Sequence, residues 1–423
     1  MPREHAITDR IDSVARIMDA FGIRTGLTSA AAPRRYLWTD AFAVCNYLAL
    51  HRHTAAPVWL ECARQLVEQV HRVLGRHRAD DPRTGWISGL DETMGARHPT
   101  AGGLRIGKPL PERGPAEAPD ERLDWDRDGQ YYHYLTRWMH ALERAAAETE
   151  DAELLRYGVE LAQAAHAAFT HRLSGEKRLY WKLNIDLSRP VVPAMGQHDA
   201  LDGLAAAAAL RERAAALRER AAALRERAAA GGAGAEREGD LYLDPELEEL
   251  AEMCTGRGWA TADALGIGGL LADAWFLAQL TRQVPGSAEQ LLTRVLRDAA
   301  RSLDLVTTGR YLDGAAHERL PFRELGLSLG LAAVERLEGQ RRTASLPGGH
   351  QAGAAVQSLL RHVPLRRRIE SFWEQPPHQT AGTWTEHEDI NSVMLATRPA
   401  ARRISRSRLV TVTTQMVLTG YRC

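Results

Sequence analysis

The chain has 423 residues with 54 Lys+Arg against 54 Asp+Glu, so its formal net charge is zero and no broad attraction to nucleic acid or an anionic membrane surface is implied. Its four scattered cysteines (Cys45, Cys62, Cys254, Cys423) form no CxxC pair, which argues against a disulfide framework or a cysteine-rich zinc site. No apolar run reaches the roughly 18–20 residues of a membrane span, and the start, MPREHAITDRIDSVARIMDAFG, is charged where a secretory signal is apolar, so a cytoplasmic location is expected.

Ala, Leu, Arg and Glu dominate, and β-branched runs are almost absent before the last fifteen residues, so helices are expected nearly throughout. After a first helix over about 8–21, TDAFAVCNYLAL (39–50) reads as a helix apolar on nearly every side, opened by an acid. PVWLECARQLVEQVHRVLG (57–75) is amphipathic. A long Gly/Pro-rich stretch, HPTAGGLRIGKPLPERGP (98–115), carries Arg105 and Lys108. It lacks P-loop spacing and suits either a surface loop or a lid selecting an anionic sugar. RLDWDRDGQYYHYLTRW (122–138) follows, leading into the apolar helix 128–142. Asp124, Asp126, Asp128 and Gly129 match positions 1, 3, 5 and 6 of a calcium loop. Position 12, where a bidentate Glu is needed, is Leu135. No EF-hand, metal or cofactor is expected. The stretch reads as a mouth loop delivering Asp126 and Asp128 to a substrate, with a looser cation site left open.

Helix 152–169 is amphipathic; YWKLNIDLSRPVVP (180–193) lies between helices and brings Lys182 and Asp186 toward a rim. HDALDGLAAAAAL (198–210) is apolar and continues into three ALRERAA heptads (209–229). Leu is their only large apolar residue, half of what a coiled-coil seam needs. A solvated helical extension ended by GGAGA (231–235) is expected, with a partner-binding arm as the alternative. Apolar helices recur at 262–280, 323–337 and 387–397, with an amphipathic one at 288–303. The tail 401–423 is basic, then β-like, and either a short strand or a disordered end fits it.

The acidic openings Asp40, Asp128, Asp199, Asp263, Glu324 and Asp389 are spaced 61–88 residues apart. Each interval holds one inner helix, one outer helix and their loops, as in arrays and toroids. The expected fold is an all-α, (α/α)6 toroid over residues 1–400, with a helical low-complexity insertion at 209–235. The first helix would be the outer partner of the last.

In such a ring the inner helices start at one mouth. Helix N-termini favour acids, so capping explains some of the openings. It does not explain the accompanying rings. Tyr36 and Trp38 precede the first inner helix. Trp125, Tyr131, Tyr132 and His133 surround the second. Trp181, Trp259 and Trp384 precede the third, fourth and sixth, and Phe322 the fifth. Rings beside carboxylates (Asp40, Asp263) and Lys182 suit a sugar, although core packing is the ordinary role of any single Trp or Tyr.

In this pattern of acidic openings, rings and alternating helices the chain resembles the six-hairpin, (α/α)6-toroid superfamily. That superfamily contains several glycoside hydrolase families and the N-acylglucosamine/cellobiose 2-epimerase family. The resemblance implies a carbohydrate pocket at the mouth and a small-molecule or oligosaccharide substrate. It does not extend to lanthionine cyclases, which need a Cys/Cys/His zinc site, or to the DxDD of terpene cyclases. Hydrolysis needs two carboxylates roughly 5–10 Å apart; the candidates are Asp126 or Asp128 with Glu388 or Asp389, and Asp199 in reserve. Epimerisation or isomerisation needs acid–base groups near neutral pKa. His198 and His387 open the third and sixth inner helices and look like the two-histidine arrangement of the epimerase family. Hydrolysis is the first expectation, sugar 2-epimerisation or aldose–ketose isomerisation the alternative. A non-catalytic helical scaffold is the third.

Overall fold

The computed structural model describes residues 2–118, 120–228, 242–307, 312–344 and 346–397. In chain order its elements are α1 (Pro2–Arg24), α2 (Leu37–Thr54), α3 (Pro57–Leu74), α4 (Glu92–Arg97), α5 (Glu121–Asp126), β1 (Gln130–Tyr131), α6 (Tyr132–Thr149) and α7 (Ala152–Phe169). The short strands β2 (Thr170–Leu173), β3 (Glu176–Leu179), β4 (Lys182–Leu183) and β5 (Pro190–Val192) follow. Then come α8 (Asp199–Ala228), α9 (Asp244–Cys254), α10 (Ala264–Leu280), α11 (Ala288–Thr307) and α12 (Pro321–Thr343). Last are α13 (Gly349–Leu360), α14 (Pro364–Trp373), α15 (Gly382–Thr385) and α16 (Glu388–Ala396). The architecture is all-α. Inner helices buried on nearly every side (α2, α6, α8, α10, α12, α16) alternate along the chain with outer ones (α1, α3, α7, α9, α11, α13), the alternation of an (α/α) toroid. No helix among the described residues is long and apolar enough to cross a membrane. The GGAGA stretch and the tail 401–423 lie outside the described residues.

The chain divides into two compact units. The first comprises residues 1–73, 254–281 and 286–423. Here α16 packs on α1, α2 and α12, so the first helix is an outer partner of the last, as the sequence pattern expects. The most intimate packing is between α10 and α12. Gly268, Gly326 and Gly330 bring the two backbones together; a methyl group on Gly268 would lie 2.2 Å from the Gly326 carbonyl oxygen. Helix starts follow the capping rules. Asp263 accepts the Gly266 N–H at 2.9 Å, and Asp40 reaches back from the first turn of α2 to the Tyr36 N–H at 2.9 Å. Trp38 therefore lies inside α2, not ahead of it.

The second unit comprises residues 74–253 and 282–285. Its core is α6, α7 and α8, which pack on one another. The second inner helix starts at Tyr132, four residues later than Asp128 suggests. Residues 130–131 pair instead with Lys182 and Leu183, and β4 continues to β5, in a small antiparallel sheet. A hairpin joins β2 to β3 through Ser174 (φ 52) and Gly175 (φ 86), the two positive φ angles a tight two-residue turn requires. These strands are too short to leave a period in the sequence.

The heptads continue α8 without a break to Ala228. Residues 209–215 are docked, whereas Arg218, Glu219 and Arg220 are exposed. Ala214 is buried, Arg213 meets the buried Glu143 at 3.1 Å, Arg211 meets Asp244 at 2.7 Å, and Arg220 pairs with Glu150. Ion pairs at the edge replace the apolar seam that one Leu per heptad cannot supply.

Candidate active site

In the second unit, aromatic side chains from α5, β1, α6 and β4's approach form one cluster. Trp181 meets Trp125 edge-on at 4.9 Å, Tyr131 at 5.1 Å, and the His133 ring in parallel at 6.1 Å and 11°. Tyr131 lies 5.4 Å from His133. Trp125 is 51% exposed and Trp181 half-buried, so the cluster offers ring faces to solvent. Tyr132 turns the other way, buried against Phe169.

His133 is half-buried, with its Nδ1 shut off from solvent and lacking a hydrogen-bond partner. Burial of the ring pushes its pKa down to about 4, assisted by Arg137 and Lys108 and opposed by Asp202. The imidazole is neutral at physiological pH. One turn along α6, Arg137 holds both oxygens of Asp202 at 3.0 Å, and the Asp202 N–H donates to the His198 carbonyl at 2.9 Å. The starts of α6 and α8 thus bring His133, Arg137, Asp202 and the His198 backbone to one place. Asp199 is buried and accepts the Gly196 N–H at 2.9 Å.

The three aspartates of DWDRDG diverge. Asp128 is buried and fully engaged: Oδ1 accepts the Gly107 and Gly129 N–H groups at 2.9 and 3.1 Å, and Oδ2 takes Arg105 at 2.9 Å and Arg78 at 3.4 Å. It anchors the 98–115 loop through Arg105 and Gly107. Asp124 pairs with Arg113 at 3.2 Å, and Asp126 is exposed. With Asp124 and Asp128 committed to separate arginines and Asp126 exposed, the three carboxylates do not converge. Among the described residues no group of three or more His, Cys, Asp or Glu could hold a metal ion. Lys182, expected at the rim, is buried beneath Tyr131 at 5.0 Å and donates to the Asp124 and Arg127 carbonyls at 2.6 and 2.7 Å. Burial, with Lys108 nearby, pushes its pKa down to about 8.

In the first unit, Asp389 takes Arg24 at 2.9 and 3.0 Å, with Arg34 at 3.8 Å, and Glu388 meets Arg24 at 3.3 Å. Asp40 is buried; burial pushes its pKa up to about 6, against the pull of Arg35 at 3.6 Å and the Tyr36 N–H, with Asp389 adding to the rise. Tyr36 is half-buried. Asp263 pairs with Arg323 besides capping α10. His387 is exposed at the start of α16, 6.2 Å from the Phe322 ring. Trp38 lies edge-on to Phe42, Trp384 is stacked on Trp373, and Trp259 is fully buried. These three pack as core and present no open face.

Sequence reasoning missed the arginines that hold these acids (Arg24, Arg35, Arg78, Arg113, Arg137, Arg323). Arg and carboxylate stand up to hundreds of residues apart, and nothing local marks the pair. Asp202, one turn after His198 in HDALD, was visible as an i, i+4 neighbour.

No family model matches the chain, and neither does any curated protein. Solved structures do resemble it. The cellobiose 2-epimerase of Spirochaeta thermophila DSM 6192 is 15% identical over 78% of this chain and 74% of that one, with a TM-score of 0.41. The cellobiose 2-epimerase of Bacillus thermoamylovorans B4167 is 10% identical, covering 78% and 76%, with a TM-score of 0.41. A D-mannose isomerase is 10% identical, covering 84% and 85%, with a TM-score of 0.44.

Proposed function

We propose that the chain is a sugar isomerase or 2-epimerase and that His133 is its base. One observation carries this reading. His133 has a neutral imidazole beside half-exposed rings, its Nδ1 without a hydrogen-bond partner among the described residues, while Asp128, Asp199, Asp263, Glu388 and Asp389 are each held by arginine or backbone N–H groups. A sugar would lie with its CH face on Trp125 and Trp181. His133 would take the proton from the carbon next to the open-chain carbonyl, and the C–H electron pair would pass into an enediol. Returning the proton to the other face of that carbon gives the epimer; placing it on the former carbonyl carbon gives the ketose–aldose exchange. His198, ahead of α8 in the same unit, is the further acid–base candidate.

The test is incubation of neutral aldoses and ketoses in D₂O. The expected result is deuterium at the carbon next to the carbonyl, together with the isomeric sugar. Binding without exchange would remove the reading, and absence of any sugar binding would favour a scaffold.

Hydrolysis keeps one supporting observation. Asp40 is a buried carboxyl with its pKa raised to about 6, the property of a general acid. Release of reducing ends from oligosaccharides, abolished in Asp40→Asn, would establish that second reading in place of the first.

A further inference from the structure

The charges around the aromatic cluster are unevenly matched. Each arginine there has its own carboxylate: Arg78 with Asp80 at 2.7 Å, Arg105 with Asp128 at 2.9 Å, Arg113 with Asp124 at 3.2 Å, and Arg127 with Glu117. Among the described residues the two lysines are in no ion pair. Lys182 donates only to carbonyl oxygens, and so does Lys108, whose amine meets the Trp125 carbonyl. The Lys108 amine stands 5.4 Å from the centre of the Trp125 ring and 5.6 Å from that of Tyr131, at the half-exposed face of the cluster. Asp126 is the one acid nearby that is not in an ion pair among the described residues, and it points to solvent. The half-buried Lys108 ammonium touches ring faces and a carbonyl and feels Asp126 and Asp128 only through space, so it has room for a negative charge in direct contact.

We infer that the substrate carries an acidic group, a carboxylate or a phosphate, which Lys108 binds while the sugar lies on Trp125 and Trp181. This deepens the sugar reading above and rests on it. Lys182, buried beneath Tyr131, adds positive potential from behind without touching the ligand. Burial holds the Lys108 amine below the usual lysine range, and an oxyanion beside it would raise it again. The 98–115 loop, anchored through Arg105 and Gly107 to Asp128, carries Lys108 and fixes where the acidic end must lie.

The experiment is calorimetric binding of D-glucuronate and glucose 6-phosphate against D-glucose, at low and at high salt. A charge-assisted hydrogen bond contributes enough for the acidic sugars to bind at least about tenfold tighter than glucose at low salt. The carboxylate and phosphate arms show which oxyanion fits. In Lys108→Met the advantage should vanish, and in Lys108→Arg it should persist in part. Cooperative thermal unfolding of both variants checks the fold, and loss of the advantage at high salt in the unaltered protein gives a readout independent of any variant. Equal affinity for acidic and neutral sugars, or a preference that survives in a folded Lys108→Met, would overturn the inference. The two readings fail separately. Acid preference through Lys108 without deuterium exchange removes the isomerase and keeps the acidic ligand; exchange on neutral and acidic sugars alike does the reverse.

Discussion

The two units treat charge at their helix starts in opposite ways. In the first, Arg24, Arg34, Arg35 and Arg323 close on Asp389, Glu388, Asp40 and Asp263, and the nearby tryptophans Trp38, Trp259 and Trp384 are core. In the second, Arg78, Arg105, Arg113, Arg127 and Arg137 are likewise spoken for, but the His133 imidazole and the Lys108 ammonium stand beside half-exposed rings and are in no ion pair among the described residues. Matched pairs give order; groups left without a partner retain the capacity to bind or to exchange a proton. Matching stops at His133 and Lys108.

The sharpest way to break this contrast is His133→Gln. Loss of a positioned base should lower solvent-deuterium exchange by about 10²–10⁴-fold with sugar binding retained; full exchange in this variant would move the site elsewhere. Next comes Asp128→Ala. It leaves Arg105 and Arg78 facing a vacated buried position, and breaking a buried pair costs about 3–5 kcal/mol. Chemical denaturation should show a fall of that order. No change would mean that the 98–115 loop is held by something else.

A third experiment uses pH. His133 has a folded pKa of about 4, below the usual value of 6.5, so the unfolded chain binds the extra proton between these limits. Its contribution to stability is present above pH 6.5 and is lost as pH falls toward 4. Asp40 has the opposite sign: with a folded pKa of about 6 against 3.8, its contribution is present below pH 3.8 and is lost as pH rises through 6. Between pH 4 and 6, His133→Gln should flatten a slope that Asp40→Asn steepens in the upward direction. Equal effects of both variants would contradict the contrast. The smallest effect is expected from Arg220→Ala. It removes an exposed ion pair to Glu150, and such pairs contribute about 0–1 kcal/mol; a larger loss in melting experiments would make the heptad docking more than an edge contact.

Periodicity made most of the helices legible: α2, α6, α8, α10, α12 and α16 follow the apolar stretches, and α1 lies against α16 as the repeat requires. It did not reveal α9 or α13, whose short segments carry no strong period, or the strand pairing that delays α6 to Tyr132. Of the candidate site, the aromatic cluster around Trp125, Tyr131 and Trp181 was visible as rings beside acids. The roles of the acids were not. Asp128 reads as a substrate-facing carboxylate in DWDRDG and is an internal anchor in the fold, because Gly107 and Arg105, more than twenty positions away, turn toward it.

By itself the sequence determined the all-α class and the alternation of inner and outer helices, because burial on one side or on all sides is written locally in apolar spacing. It also determined that acids and rings gather at helix starts, since capping is a matter of a few neighbouring residues. Only the tertiary structure decided which acids are matched and which bases are left over. An ion pair depends on where two distant side chains come to rest, and a missing partner leaves no trace along the chain.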